Sequence, residues 1–117
     1  MIPAAGTDME RTNTRGRVRL RVRENEVDPY RIAHHSNYGV WAEIALQDFL
    51  RDDKGGVPAY RIVRFQCKYM LSALLDDLIE ISVRPAGTAD GTEKYLFQVT
   101  DCKTHRTLTS GKLEIAR

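Results

Sequence analysis

One segment alone in this chain carries the hydrophobic repeat of an amphipathic helix, and this limits its possible folds more than any other feature. Between residues 38 and 50 the apolar side chains recur at intervals of three and four. That spacing predicts a helix of about 16 residues, roughly 24 Å long, buried along one stripe. Ser36 or Asn37 would cap it, and Lys54-Gly55-Gly56 would stop it. The stripe comprises Tyr38, Trp41, Ala42, Ala45, Leu46, Phe49 and Leu50.

The rest of the chain alternates apolar and polar residues with a period of two, which is typical of half-buried strands. The last three strands follow one another through short turns, at Pro85-Ala86-Gly87 with Asp90-Gly91 and at 103–106, and should form an antiparallel meander. A lone apolar helix stripe must be covered by the sheet. We therefore predict an α+β fold, one long amphipathic helix wrapped by a curved five-stranded antiparallel sheet. The strands are 17–24, 63–69, 79–83, 94–100 and 107–115.

The length of 117 residues fits one domain. Residues 1–15 are predicted to be a flexible N-terminal tail, and residues 16–117 a single domain. No apolar run approaches the roughly 20 residues of a membrane helix, and the N-terminus lacks a signal-peptide pattern. These features predict a cytoplasmic protein that does not span a membrane.

The net charge of +2 is too small to name a partner, but the arginines are unevenly distributed. Arg15, Arg17, Arg19, Arg21 and Arg23 occupy alternate positions and would share one face of a strand. A solvated outer sheet face is the favoured interpretation. Nucleic-acid binding and attraction of an anionic substrate carrier stay open, although no aromatic residues interleave for base stacking.

The densest group of reactive side chains lies around Asp28 and His35, just before the predicted helix. A helix N-terminus offers unpaired N–H groups and a partial positive charge, which can bind a carbonyl oxygen as it becomes an oxyanion. A nearby aspartate can attack the carbonyl carbon or activate water, and a thioester suits this because thiolate leaves readily.

Structural interpretations of the same residues remain open. Asp28 before Pro29 is a common turn pair, and Tyr38 lies on the buried stripe. His34 and His35 could form a metal pair, but no third ligand has suitable spacing, so we expect no metal. Glu43 lies off the stripe. It is either a residue of the solvated helix face or a functional carboxylate at a subunit boundary.

The order and spacing of these residues also resemble a known family. The segment resembles the opening of 4-hydroxybenzoyl-CoA thioesterase and the YbgC-type acyl-CoA thioesterases, which are hot-dog proteins with one helix wrapped by an antiparallel sheet. Beyond this segment the resemblance is weaker, and it extends over most of residues 17–116. The residues that carry it are Val22-Arg23, Asp28, Ile32, His35, Asn37-Tyr38 and Glu43.

The resemblance implies hydrolysis of an acyl thioester, with CoA or phosphopantetheine present only as part of the substrate and no other cofactor. It implies that Asp28 is the nucleophile or general base and that the backbone N–H at His35 polarises the carbonyl. Asn37 and Tyr38 would shape the helix start. Such proteins work as homodimers that pair into homotetramers, with sites at subunit interfaces.

Substrate contacts are implied less directly. Arg64 and Lys68 would meet CoA phosphates. Arg31 occupies a position where the family usually has glycine, and it would place a cation near the substrate. This departure, with Glu24 and Ser72 at positions where other residues are usual, suggests a specialised branch, with an acyl carrier protein as a possible partner.

Two other functions are weighed against hydrolysis. One is hydration or dehydration of a thioester-linked acyl chain. The enzymes that catalyse it have a characteristic spacing of histidine and carboxylate residues, and this sequence lacks that spacing. The other is a module that binds acyl thioesters or polyanions without catalysis, through the arginine face.

Overall fold

The computed structural model describes residues 9–117, which form six strands and one α-helix. A short 3-10 turn spans Glu24–Glu26, between the second strand and the helix. The elements are β1 (Met9–Arg11), β2 (Arg17–Arg21), α1 (Ser36–Leu50), β3 (Arg61–Tyr69), β4 (Leu78–Ala89), β5 (Thr92–Asp101) and β6 (Thr107–Ala116).

The strands form one antiparallel sheet in the order β1-β2-β4-β5-β6-β3. The predicted class, one helix on an antiparallel sheet with a β4-β5-β6 meander, is confirmed. The predicted count of five strands is wrong, because Met9–Arg11 pairs with β2 through the Met9–Leu20 register. This strand falls inside the segment predicted as a flexible tail, residues 1–15, of which residues 1–8 lie outside the described part.

The apolar stripe of α1 packs on the inner face of the sheet. Trp41, Ala42, Ala45 and Leu46 are fully buried against residues of β2 and β4. This confirms the helix and its stripe. The predicted caps are wrong, since His35 occupies the N-cap position and its side chain makes no capping hydrogen bond.

The helix ends at Leu50, before the predicted stop at Lys54-Gly55-Gly56. Arg51 already has an extended backbone, with φ −61° and ψ 131°. The Asp52 carboxylate then accepts hydrogen bonds from the N–H groups of Lys54 (2.9 Å) and Gly56 (2.8 Å). The helix ends here because an aspartate side chain readily accepts hydrogen bonds from backbone N–H groups that follow it, and this local turn competes with further helix.

β4 continues through the predicted turn at Pro85-Ala86-Gly87, which is therefore wrong. A bulge between Pro85 and Gly87 absorbs these residues, and Gly87 has the positive φ of 120° that favours glycine. The chain reverses only at Asp90-Gly91, where both residues have positive φ, as a two-residue hairpin requires.

Of the five alternating arginines predicted to share one strand face, the three that lie within β2 face outward as predicted. Arg15 precedes the strand and instead donates to the carbonyls of Phe49 and Arg51 at the end of α1. Arg17, Arg19 and Arg21 are exposed while Val18 and Leu20 between them are buried. No helix within residues 9–117 has the length and apolar character needed to cross a membrane.

Candidate active site

The segment between β2 and α1 folds back on itself and places Asp28 at its tip. Val27 and Ala33 form an antiparallel bridge. Inside it the Asp28 N–H donates to the Ile32 carbonyl (3.0 Å), and the Arg31 N–H donates to the Asp28 carbonyl (2.8 Å). This small hairpin joins the end of β2 to the start of α1, so Asp28 and His35 belong to one rigid unit.

The Asp28 carboxylate has a fixed and an available oxygen. Oδ1 accepts hydrogen bonds from the N–H groups of Tyr30 (2.8 Å) and Ile32 (3.1 Å). Within residues 9–117 nothing donates to Oδ2. These two bonds support the turn interpretation of Asp28-Pro29, and the same geometry leaves the second oxygen without a donor from the described residues. The half-buried carboxylate lines a hollow of about 320 Å³ with Glu24, Val27, Pro29 and Arg31.

Arg31 has an unusual backbone at this site. Its φ is 65°, in the left-handed region that favours glycine. Its carbonyl accepts a hydrogen bond from the Leu75 N–H (3.0 Å), which fixes the hairpin to the loop before β4. The exposed side chain lines the Asp28 hollow. The loop thus keeps a glycine-like path while a cationic side chain is added.

The first turn of α1 provides unpaired donors next to this hairpin. The N–H groups of His35 and Ser36 have no acceptor among the described residues. The Asn37 and Tyr38 N–H groups donate to the carbonyls of His34 and His35, each at 3.1 Å. The start of α1 therefore has the polarity that an oxyanion requires.

Aromatic rings surround that helix start. The His35 ring stacks on the Tyr69 ring with centroids 4.2 Å apart and planes at 12°. Tyr38 meets both rings edge-on, at 6.4 Å from His35 and 5.3 Å from Tyr69. Tyr38 is almost wholly buried, and burial raises the pKa of its phenol, whose oxygen accepts the Ala73 N–H (3.2 Å). Tyr38 therefore belongs to the core and to the site wall together.

Asn37 holds the helix start against the hairpin, through a residue that the sequence analysis missed. Its Nδ2 donates to the Glu26 carbonyl (2.7 Å), which also accepts the His34 N–H (2.9 Å). The buried Glu26 carboxylate accepts hydrogen bonds from Arg23 and from Trp41 Nε1 (2.8 Å). Burial alone would raise the pKa of Glu26, but these hydrogen bonds outweigh it and lower the pKa. Trp41 lies on the buried stripe of the predicted helix, and a buried indole N–H usually has a hydrogen-bond acceptor. That need for an acceptor was the sequence signal that could have pointed to Glu26.

Glu43 lies two turns along α1 and touches none of these residues. Its Oε2 accepts a hydrogen bond from the Tyr60 hydroxyl (2.6 Å), which in turn accepts from Gln47 Nε2 (3.0 Å). Burial, together with the Glu43 carboxylate, raises the pKa of Tyr60 to about 12. The pair therefore stays hydrogen-bonded across the neutral range.

Arg64 and Lys68 lie on the opposite side of the sheet from α1. Both belong to β3 and alternate with Phe65 and Cys67, whose side chains face inward. Arg64 pairs with Glu114 at 3.4 Å. Arg31 lines the hollow beside Asp28, whereas His35, Asn37 and Tyr38 lie at the start of α1 and do not line it. The hairpin connects these two groups along the chain, and Arg64, Lys68 and Glu43 lie apart from both.

Residues 9–117 contain no group of three His, Cys, Asp or Glu side chains arranged to hold a metal. His34 is exposed, and the neighbouring His35 ring is engaged with Tyr69. Cys67 and Cys102 are both free.

Solved structures share this arrangement of helix and sheet. A probable thioesterase from Bartonella henselae is 21% identical over 86% of this chain and 86% of that chain, with a TM-score of 0.75. YbaW, a probable thioesterase from Escherichia coli, is 17% identical over 86% and 80%, with a TM-score of 0.75. The chain has the hot-dog fold.

A gentisyl-coenzyme A thioesterase is similar to the same extent, with 19% identity over 86% of this chain and 85% of that chain and a TM-score of 0.76. No protein-family model matches this sequence, and no curated protein matches it. At these identities the likeness establishes the hot-dog fold, and the activity has to be argued from the site.

Proposed function

We propose that this hot-dog protein hydrolyses acyl thioesters at the hollow beside Asp28. The observation that carries the proposal is the Asp28 carboxylate itself. Its Oδ1 is held by two backbone N–H groups, and its Oδ2 is unengaged within residues 9–117. Its hairpin leads directly into the start of α1, where the His35 and Ser36 N–H groups are also unengaged within residues 9–117. A carboxylate and an oxyanion site on one rigid unit are the two parts that acyl transfer requires.

Two routes use the same residues. In one, Asp28 Oδ2 takes a proton from water, the hydroxide attacks the carbonyl carbon, and the carbon–sulfur bond breaks to release the thiolate. In the other, Asp28 Oδ2 attacks directly, the thiolate leaves, and water then hydrolyses the mixed anhydride. Both give a carboxylic acid and a thiol, and both place negative charge on the carbonyl oxygen near the His35 N–H.

The other site residues support this reaction by position. Asn37 fixes the helix start through the Glu26 carbonyl (2.7 Å). Tyr38 and Tyr69 form an aromatic wall with the His35 ring, against which an acyl group can pack. Arg31 provides a cation in the Asp28 hollow. The solved thioesterases with this fold support the reaction type, and one of them is named for a coenzyme A substrate. No cofactor beyond the thiol carrier of the substrate is needed.

Thiol release tests the proposal. The protein would be incubated with acyl-CoA, acyl-carrier and acyl-N-acetylcysteamine thioesters, and free thiol would be measured. We expect Asp28→Asn to lower kcat by at least about a hundredfold. The matched control is Asp53→Asn, an exposed aspartate in the turn after α1. Equal hydrolysis by Asp28→Asn and the control would contradict the proposal, and enoyl–hydroxyacyl interconversion without thiol release would favour a hydratase.

We also propose that the active form is at least a homodimer joined along β3. This strand lies at the edge of the sheet, and its inner-facing side chains remain partly exposed. Exposed fractions reach 40% for Val63 and 42% for Tyr69. An edge strand with exposed apolar residues is a ready site for pairing with a second copy. Because Tyr69 also stacks on His35, a dimer along β3 would lie beside the site.

Sedimentation tests the dimer. Val63→Lys should shift the protein toward monomer, because a charge on the edge strand opposes pairing. Val57→Lys is the control, since Val57 is 36% exposed but lies in the loop before β3. A wild-type monomer, or an equal effect of both substitutions, would contradict the β3 interface.

A further inference from the structure

A hollow of about 940 Å³ opens on the outward face of the sheet and extends to the C-terminal end of α1, where Arg15 and Phe49 line it. Two neighbouring cross-strand rows of outward-facing side chains line it. One row runs from Arg17 through Ser82 and Gln98 to Lys68, and the next contains Arg84 and Lys112. The Asp28 hairpin follows the far end of β2, and its hollow shares no lining residue with this one, so this hollow is separate from the candidate active site.

The charge of this hollow has one sign. Its lining includes five arginine or lysine side chains and no carboxylate. Arg17 pairs with Glu80 (3.4 Å), which lies outside the lining, and Arg15 donates to the carbonyls of Phe49 and Arg51. Lys68, Arg84 and Lys112 form no ion pair with any carboxylate in the described part of the chain. Unpaired cations that share a concave surface raise the local concentration of anions.

The spacing of these cations indicates more than one anionic group. Strands lie about 4.8 Å apart, so Arg84 on β4 and Lys112 on β6, two strands away, are roughly 10 Å apart at the backbone. Arg17 and Lys68 are four strands apart, or roughly 19 Å. Ser82 and Gln98 lie between the cations and offer neutral hydrogen-bonding groups. This pattern fits a molecule with separated phosphates and a polar body better than it fits a single small anion.

Two larger occupants fit less well. A second copy docked face to face would bring like charges together, which is destabilising. A single-stranded nucleic acid would need a series of exposed aromatic rings for stacking, and the two outward rows contain none. Of the two phenylalanines in the lining, Phe97 is 2% exposed and the ring of Phe49 lies under the Arg15 guanidinium. The volume lies within the roughly 300–1,000 Å³ of small-molecule sites.

We propose that this groove binds a phosphorylated small molecule of nucleotide size, through Lys68, Arg84, Lys112 and Arg17. The site is independent of the thioesterase proposal. It would allow a nucleotide, free or as part of a larger molecule, to bind on the face of the sheet that the reaction does not use.

Isothermal titration of the full chain tests this, with ADP, coenzyme A, adenosine and inorganic phosphate as probes at low ionic strength. We expect ADP and coenzyme A to bind, and adenosine and phosphate each to bind at least about tenfold more weakly. Lys112→Gln and Arg84→Gln should each weaken ADP binding about tenfold, as loss of one charge-assisted contact does. The control is Lys103→Gln, an exposed lysine in the β5–β6 turn.

Several results would overturn the proposal: no ADP binding at millimolar concentration, equal binding by groove variants and the Lys103→Gln control, or tighter binding of a single-stranded oligonucleotide with the same variant dependence. Thermal melts would first establish that each variant is folded. Thiol release from acyl-N-acetylcysteamine, which has no phosphate, should be unchanged in Lys112→Gln and Arg84→Gln. The two proposals can therefore fail separately.

Discussion

The Trp41 indole N–H donates to the Glu26 carboxylate over 2.8 Å, and this bond joins the core of the helix to the segment that carries Asp28. Glu26 is 5% exposed and Trp41 is fully buried. The backbone carbonyl of Glu26 holds Asn37 and His34 at the helix start. Glu26 therefore connects the segment before Asp28 to α1 twice, through its carboxylate to Trp41 and through its backbone carbonyl to the helix start.

Glu26→Ala is expected to lower the free energy of unfolding by about 3 kcal/mol, because Trp41 Nε1 would lose its acceptor in the core. Glu26→Gln keeps the shape and one acceptor oxygen, so its loss should be smaller. Chemical denaturation measures both. The control is Glu24→Ala, an exposed residue of the same 3-10 turn, which should change stability by less than about 0.5 kcal/mol. Equal effects at residues 24 and 26 would contradict the anchoring role.

The pH dependence of stability should report the same carboxylate. Hydrogen bonds from Arg23 and Trp41 outweigh burial and lower the pKa of Glu26 in the folded protein. The unfolded state then binds the proton more readily, so this contribution is fully present above the unfolded value near 4.5. It is lost as the pH falls through the folded pKa. Unfolding of wild type and Glu26→Gln between pH 7 and pH 3 should therefore converge, and parallel curves would exclude Glu26 as the source.

The stacked rings of His35 and Tyr69 provide a prediction about the site wall. Tyr69→Leu removes the stack and should lower kcat/KM for thioester hydrolysis about threefold to tenfold, in line with the strength of one aromatic pair. Tyr69→Phe keeps the ring and should leave kcat/KM unchanged. The comparison matters because the pKa of Tyr69 is raised to about 12, by its hydrogen bond to Cys67 and by burial, so its hydroxyl stays protonated. A loss in Tyr69→Phe would assign the effect to the hydroxyl instead.

Periodicity was enough to predict the helix, its buried stripe and the central strands. The seven stripe positions, and the alternation around Leu20, Ile81 and Phe97, reflect only which face of the helix or strand is buried in the core. β1 escaped prediction because three residues are too few to show a period, and only pairing with β2 makes Met9–Arg11 a strand. The false turn at Pro85-Ala86-Gly87 has a similar cause, because the flanking strand pairs hold the bulge in the sheet.

The site was predicted only in part for a related reason. Asp28, His35 and Asn37 are close in the sequence, so the local hairpin that joins them follows from turn chemistry. Tyr69 and Glu26 depend on long-range packing: Tyr69 meets His35 only because β3 ends beside the start of α1. The family resemblance implied that Arg64 and Lys68 meet CoA phosphates, and strand parity places both side chains on the face of the sheet opposite α1.

Gly111 marks the tightest approach within the sheet. A Cβ at this position would lie 2.1 Å from the Gln66 carbonyl oxygen and 2.7 Å from Phe97 Cε2. Gly111→Ala should therefore lower the free energy of unfolding by about 3 kcal/mol, because the neighbouring backbone cannot move aside. Gly39→Ala is the control, and it should raise the free energy of unfolding. Its Cβ would lie at an ordinary 3.7 Å from Phe65, and alanine is more favourable than glycine inside a helix by about 0.5–1 kcal/mol. Destabilisation by both substitutions would contradict this account.

Arg31 combines backbone strain with a side chain in the Asp28 hollow, so glycine there should separate stability from activity. A left-handed backbone costs an ordinary residue about 1–2 kcal/mol, and the greater unfolded-state entropy of glycine offsets about half of that. We expect Arg31→Gly to raise the free energy of unfolding by up to about 1 kcal/mol and to raise KM for thioesters about tenfold, as the loss of one charged contact does.

The matched control for Arg31→Gly is Asp90→Gly. Asp90 has a φ of 54° in the β4–β5 hairpin, close to the 65° of Arg31, but it lies outside the hollow that Arg31 shares with Asp28. Its glycine variant should show a smaller gain in stability, because aspartate adopts the left-handed region more readily than arginine, and should leave kcat and KM unchanged. Arg31→Lys should keep most of the affinity, because a cation remains in the hollow. If Arg31→Gly gained stability and kept its KM, the arginine would have no part in substrate binding, and its left-handed backbone would be a local property of the turn.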